Sequence, residues 1–216
     1  MTDQSVMKET MGRIVNRDAK RLQIVAAAAA TFAANGYDAT AMDDVAEAAG
    51  VSKGSLYDYF KNKEDLFYAV FEWYQLKVMQ DSVTQLEPGL SAKEQIMRFV
   101  EATVSALVAQ VCLYPVTLEV WAAAAKRGTR ERFATAMKTL YIEYRQSVEA
   151  MLRAAQESGE LKKDMDAKAV AAMLVGAVDG LVLQYWLDPS FDPKDWTRTF
   201  FNALYGGIAV KQTEAS

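Results

Sequence analysis

Histidine is absent from the 216 residues. Its absence excludes Ser-His-Asp and Cys-His catalysis and any His-ligated zinc, haem or non-haem iron. A single cysteine, Cys112, allows no intrachain disulfide and no thiolate cluster. That thiol is expected to be a small buried hydrophobe in a cytoplasmic protein. Proline (4) and glycine (11) are too scarce for a loop-rich all-β chain. Met1–Gly12 has no apolar core, so it does not read as a signal peptide. One long apolar run exists, Ala169 to Leu187, broken by Asp179 and Gln184. An aspartate near its middle would cost about 3 kcal/mol in lipid, and no second such run follows. The run is therefore expected to be a buried helix in a soluble protein, with no membrane partner.

What is present is a folded composition: 51% hydrophobic and 24% charged residues. The formal net charge is −4. Residues 1–80 carry 9 Lys and Arg against 11 Asp and Glu, so neither half is basic. Bulk charge gives no argument for nucleic-acid binding, and any such argument must come from local placement.

The apolar periodicity is helical throughout. A first helix is expected over Arg17–Ala34, with Ile24, Ala28 and Phe32 on one face and Asn35-Gly36 as its stop. Thr40, with Asp43 at the capping-box offset, opens Met42–Ala49. Ser52 caps Lys53–Tyr59, and Asn62 precedes a long helix from Lys63 to about Thr84, with Glu64 and Asp65 in its first turn favouring the helix dipole. Pro88-Gly89 breaks the chain. Ser91 and Glu94 then form a capping box for a helix to about Val111. Pro115 starts a shorter helix to about Lys126, and Gly128-Thr129 leads into one ending at Ser158-Gly159. Asp166 caps the next, to Leu187. Asp192-Pro193 opens the last, to about Val210. The fold class is all-α, with about nine helices. There is no internal repeat.

Gly50-Val51-Ser52 joins the second and third helices too tightly for anything but a small angular unit, which suggests a helix-turn-helix. Ala46 is small where the helices would cross. Gly50 can adopt positive φ at the turn. Val45, Val51 and Leu56 can fill the space between. A generic helical hairpin would meet some of these demands too.

The wider window is more specific. Phe32, then Gly36-Tyr37, Ala49-Gly50-Val51-Ser52, Leu56-Tyr57, Tyr59-Phe60 and Lys63-Glu64 occur in order, at a spacing that closely resembles the tetracycline-repressor (TetR) family. The resemblance covers about residues 17–70. It implies a three-helix DNA-binding domain over 1–66, with the helix-turn-helix at about 42–59, and a ligand-binding and dimerisation domain over 67–216. It implies double-stranded operator DNA as partner, no enzymatic activity and no cofactor. Thr40, Tyr57 and Lys63 match positions that hold the phosphate backbone. Lys53, Gly54 and Ser55 match the start of the recognition helix, and Tyr59 matches a backbone or base contact. The chemistry of these residues agrees. Gly54 lets backbone approach DNA, Ser55 can donate or accept at a base edge, and Lys53 can reach a guanine or a phosphate. Arg13, Arg17, Lys20 and Arg21 against a lone Asp18 make the start of the first helix locally basic.

One recognition helix reads too few base pairs, so a homodimer is expected. Its best element is the apolar helix ending at Leu187, where Ala172, Gly176 and Gly180 would permit close helix approach. The last helix, with Phe201 and Leu204, is its expected partner, and the resemblance places the interface on the same two helices. Trp73, Trp121 and Tyr144 belong to an aromatic set suited to an apolar pocket. Asp179, inside the most apolar helix, and Glu119, two residues before Trp121, are acids that could host a cation beside aromatic rings. The function these features imply is a ligand-responsive transcriptional regulator, a repressor released by a small hydrophobic, aromatic or cationic effector. The alternative is a DNA-binding regulator controlled by a protein partner.

Overall fold

The computed structural model describes residues 3–84, 89–125 and 131–210, with the helical course alone over 3–15. Pro88 and Gly128-Thr129 lie outside the described residues, as does the side chain of Arg13. Nine α-helices account for nearly all of the described chain: α1 Asp3–Asn35, α2 Met42–Ala48, α3 Lys53–Tyr59, α4 Lys63–Val83, α5 Ala92–Ala109, α6 Tyr114–Ala125, α7 Glu131–Glu157, α8 Ala167–Leu187 and α9 Pro193–Ile208. A 3-10 turn, Val111–Leu113, precedes α6. The chain divides into two compact units. The first holds the residues up to Gln75 together with Cys112–Ala122, the second Leu76–Val111 and the chain from Ala123 onward. The division falls inside α4 and α6.

In the first unit, α1 buries Ile24, Val25, Ala28, Ala29 and Phe32. These spacings form one stripe of a 3.6-residue helix. Val45, Ala46 and Ala49 of the α2 region, Leu56 of α3, and Leu66, Phe67 and Val70 of α4 are buried as well. Removing each large side chain from water contributes roughly 1.5–3 kcal/mol. The Phe67 ring meets Phe32 edge-on, 5.1 Å between centroids, and Tyr37 at 4.8 Å. Helix α1 ends where Gly36 turns to φ 77° and its N–H bonds to the Phe32 carbonyl at 2.8 Å. The helix starts well before the expected Arg17.

Helix α2 corrects two expectations. Its N-cap is Ala41, and Asp44 rather than Asp43 serves the helix start, accepting the Ala41 N–H at 2.7 Å. Thr40 is drawn inward instead. It is 1% exposed, and its hydroxyl donates to the Gly36 carbonyl at 2.8 Å. Cys112 also departs from expectation, since it is exposed and not a core residue.

In the second unit, one core joins α5 (Ile96, Phe99, Val100), α7 (Val148, Leu152, Ala155), α8 (Ala167, Ala171, Leu174) and α9 (Phe201, Tyr205). Leu161, in the connection after α7, joins the same core. Gly159 turns that connection at φ 83°. The chain then pairs with the end of α9: Lys162 N–H donates to the Ile208 carbonyl and Val210 N–H to the Glu160 carbonyl, both at 3.0 Å. Glu160 also accepts the Tyr205 hydroxyl at 3.2 Å and the Ala92 N–H at 3.3 Å, tying α9 and the start of α5 to one carboxylate. Burial, with Glu160 next, pushes the Tyr205 phenol up to about 12.

Helix α8 is less buried than its sequence led one to expect. Its mean hydropathy of 1.6 and its 21 residues suit a membrane span, yet only Ala167, Ala171, Leu174 and Val182 are buried. Met173 is 73% and Leu187 68% exposed.

Candidate functional site

The turn between α2 and α3 places the recognition helix. Gly50 adopts φ 62°, and the Val51 N–H closes back on the Ala46 carbonyl at 2.9 Å. A side chain at Gly50 would strain this left-handed backbone. From α1, Gln23 Nε2 donates to the Ala49 carbonyl at 2.7 Å and satisfies the end of α2. Ser52 caps α3 by accepting the Ser55 N–H at 3.2 Å. Leu56 is fully buried and anchors α3, which turns Lys53, Gly54 and Tyr57 outward, with Ser55 and Tyr59 half-buried. A Cβ added at Gly54 would meet nothing within 4 Å. The fold therefore does not require glycine there, which leaves close approach from outside as the use of the bare backbone.

The charges around α3 are partly committed. The Lys53 ammonium pairs with Asp43 at 2.9 Å, both side chains being about two-thirds exposed or slightly less (63% and 60%). The hydrogen bond that Lys53 donates to Asp43 raises the Lys53 pKa. The Arg17 guanidinium lies over the Tyr59 ring, 5.8 Å from its centroid. Lys63 does not project freely. Its ammonium donates to the carbonyls of Tyr37 (2.8 Å), Asp38 (3.2 Å) and Thr40 (3.0 Å), and sits 4.5 Å from the Tyr37 ring centroid. It holds the turn that follows α1. Of the three residues matched to phosphate contacts, only Tyr57, 44% exposed, presents its side chain outward. Within the protomer the Thr40 hydroxyl and the Lys63 ammonium are both engaged by backbone carbonyls.

Glu119, expected as an acid beside a ligand, receives the Tyr37 N–H on both carboxylate oxygens, at 2.8 and 2.9 Å. A Cβ on Gly36 would lie 3.2 Å from its Oε1, so glycine there makes room for the acid. Trp121, on the same helix, is 38% exposed, and Trp73 on α4 is half-buried. These three residues belong to the first unit, Tyr144 and Asp179 to the second.

There, α7 and α8 bring Tyr141, Tyr144 and Asp179 together. The Tyr141 hydroxyl donates to Asp179 Oδ2 at 2.6 Å. Burial raises the Asp179 carboxyl above its usual range, and the Tyr141 hydrogen bond opposes part of that rise. The Tyr144 oxygen is buried without a hydrogen-bond partner. Burial, then the Asp179 charge, pushes its phenol well above the ordinary value.

On the outer faces of α8 and α9, Gly176 and Gly180 have nothing within 4 Å of an added Cβ. Gly176 is exposed, and Ala172, Gly180 and Leu204 are half-buried. Phe201 is corrected: it is 2% exposed, inside its own core. Its neighbour Phe200 (48%) and Trp196 (48%) face outward instead. Sequence reasoning missed Gln23, read Asp43 only as a helix cap and not as the partner of Lys53, and placed Tyr141 in the aromatic set without its bond to Asp179.

Two family models match the chain. Residues 24–70 match the bacterial regulatory proteins of the TetR family, and residues 92–204 match the C-terminal domain of BetI-type transcriptional repressors. The fatty acid metabolism regulator protein of Bacillus subtilis is 26% identical over 194 residues, 89% of this chain and 97% of that one. Among solved structures, the transcriptional regulator FadR of Bacillus subtilis in complex with stearoyl-CoA has a TM-score of 0.73 at 25% identity. That match covers 87% of this chain and 98% of the other. A transcriptional regulator of Saccharomonospora viridis in complex with choline reaches 0.76 at 22%, covering 90% and 100%, a likeness of fold. With the helix-turn-helix and the second helical domain both matched, the chain belongs to the TetR family of DNA-binding transcriptional regulators, with a C-terminal domain of the BetI type.

Proposed function

We propose that the protein acts in the cytoplasm as a homodimeric repressor that leaves its operator when a small hydrophobic, aromatic or cationic effector binds. The observation that carries the reading is α3. It is a seven-residue helix, capped at Ser52 and pinned by Leu56, that turns Lys53, Gly54 and Tyr57 to the outside. A helix so mounted fits a major groove, and Lys53, Ser55 and Tyr59 can reach base edges or phosphates. Two copies related by symmetry would read half-sites about 34–36 Å apart, or a multiple of that. The outward apolar faces of α8 and α9, with Gly176 and Gly180 open, support pairing of two copies there.

Lys63 of α4 and Glu119 of α6 hold the same residue, Tyr37, in the turn that leads to α2. Both helices continue into the second unit. An effector that prefers a state with α4 or α6 displaced lowers operator affinity by its differential affinity for that state, and by no more. Relatives bind stearoyl-CoA and choline, which supports an effector with an apolar or a cationic part.

The test is a selection of random duplexes by the purified protein, followed by binding measurements on the selected site. A two-fold symmetric site bound by two chains is expected. Lys53→Ala and Ser55→Ala should change the preferred bases, and Tyr57→Phe should weaken binding to all sequences alike. A protein that stays monomeric, or binds no duplex at low salt, overturns the reading.

A further inference from the structure

A helix as short as α3 does not hold its own course in water, and Leu56 is the one residue it buries. A single anchor fixes where the helix sits but lets it pivot, so its pitch has to come from contacts at its two ends. Helix α1 grips both. At the start, Gln23 Nε2 donates to the Ala49 carbonyl at 2.7 Å, in the turn that feeds α3. The Lys20 ammonium donates in turn to Gln23 Oε1 at 3.4 Å. At the finish, the Arg17 guanidinium lies 5.8 Å from the centroid of the Tyr59 ring, and that of Arg21 lies 5.2 Å from the centroid of Phe60. At such distances a cation is drawn to a ring face. Tyr59 is the last residue of α3, and the buried Phe60 is its C-cap. Arg17 and Arg21 share one face of α1. Arg17 and Gln23 stand about 9 Å apart along α1, against about 10 Å for the whole of α3. All three side chains are on exposed residues, so filling the core does not account for them.

We propose that Gln23, Arg17 and Arg21 are positioning residues for sequence reading: α1 braces α3 at both ends and sets the pitch at which Lys53 and Ser55 meet base edges. A tilt of α3 carries these side chains off the base edges, whose hydrogen-bond geometry is narrow. Attraction to phosphates depends on charge and survives the tilt. The brace therefore acts on the preference among sequences rather than on affinity for DNA as such. Gln23 shows this most cleanly, because a neutral side chain has no part in phosphate attraction. The assignment rests on α3 as the helix that enters the groove, and names what orients it.

Two measurements on the full-length protein test it. The first compares binding to the duplex that the unaltered protein selects with binding to a scrambled duplex of the same length, over a range of salt. Gln23→Met keeps the length of the side chain and removes its donor, while Arg17→Ala and Arg21→Ala remove the guanidinium. Each should lower the ratio of the two affinities several-fold, with the salt slope on the scrambled duplex unchanged. A ratio unmoved by Gln23→Met overturns the brace. So do arginine variants that weaken both duplexes alike and flatten the salt slope by about one, as a lost phosphate contact does. The second measurement needs no DNA. The Leu56 and Phe60 N–H groups close on the Ser52 and Leu56 carbonyls, each at 3.0 Å. In the variants these amides should exchange with solvent several-fold faster, while those of Ile24 and Ala28 in α1 keep their rates. Unchanged exchange in α3, or equal acceleration in α1, overturns the brace. Unaltered protein that binds no duplex loses the regulator reading, and the exchange rates then decide the brace by themselves.

Discussion

Tyr37 is held from two sides, its N–H by Glu119 and its carbonyl by Lys63. Residues of this kind look like ligand or DNA contacts in a sequence because their charge is visible and their partners are backbone atoms, which every residue possesses. That is why Thr40, Lys63 and Glu119 were legible as chemistry types but not as turn-holders. Glu119→Ala leaves the Tyr37 N–H without its acceptor, at a cost of about 1–3 kcal/mol. Thermal melting should fall by several degrees, with Glu119→Gln recovering part of the loss. A second residue-scale prediction concerns Asp43. It pairs with Lys53 on the exposed face of α2 and α3 and draws its charge away from an approaching phosphate. Asp43→Asn should tighten duplex binding several-fold at low salt. The gain should vanish at high salt, because it arises from phosphate attraction. Salt-dependent titrations check it, and an affinity unchanged at low salt would show that Lys53 does not use its charge there.

At the scale of the element, caps and stripes made the helices readable. Ser52, Asn62, Ser91, Asp166 and Asp192 each accept the backbone N–H bonds that their positions suggested. Register on a face was harder: Phe200 and Phe201 differ by one residue and by about 100° around α9, and only packing against α5 and α8 decides which of them is inside. Asp179 was visible as an odd acid in an apolar helix, whereas its partner Tyr141 lies 38 residues away and no local pattern joins them. The raised Asp179 carboxyl has a consequence for α8. Its folded-state pKa stands above the unfolded value, so the charged form burdens the fold at neutral pH, and that burden lifts as pH falls through the raised pKa. Asp179→Asn should therefore raise the melting temperature of the ligand-free protein at pH 7, with the advantage shrinking towards pH 4. Melting curves at several pH values read this directly, and a lowered melting temperature at pH 7 would contradict it. Tyr205, pushed up to about 12, gives the same kind of argument at the other end of the scale. Stability should decline as pH rises from about 10, and Tyr205→Phe should remove part of that decline.

For the molecule as a whole, the unexplained quantity is apolar surface. Helix α8 has the hydropathy of a membrane span but buries little of itself. Beside Met173 and Leu187, the exposed Trp186, Trp196 and Phe200 lie on or next to the same two helices. On the homodimer proposed above, surface of this extent would be covered by a second copy. Gly176 separates this account from ordinary surface exposure. Within one protomer a side chain there meets nothing, and replacing a helical glycine should stabilise the isolated fold by roughly 0.5–1 kcal/mol. In a dimer whose α8 helices approach closely, a large side chain at the same position must push them apart. Gly176→Leu should therefore yield a chain that folds at least as well yet dissociates at concentrations where the unaltered protein is dimeric. Phe200→Glu should act in the same direction by placing a charge in the interface. Because each half-site then binds alone, both variants should lose operator affinity by far more than their effect on a single recognition helix, which neither touches. Sedimentation and duplex titration on the same samples decide the matter: a Gly176→Leu protein that remains dimeric and binds operator normally would move the interface off α8.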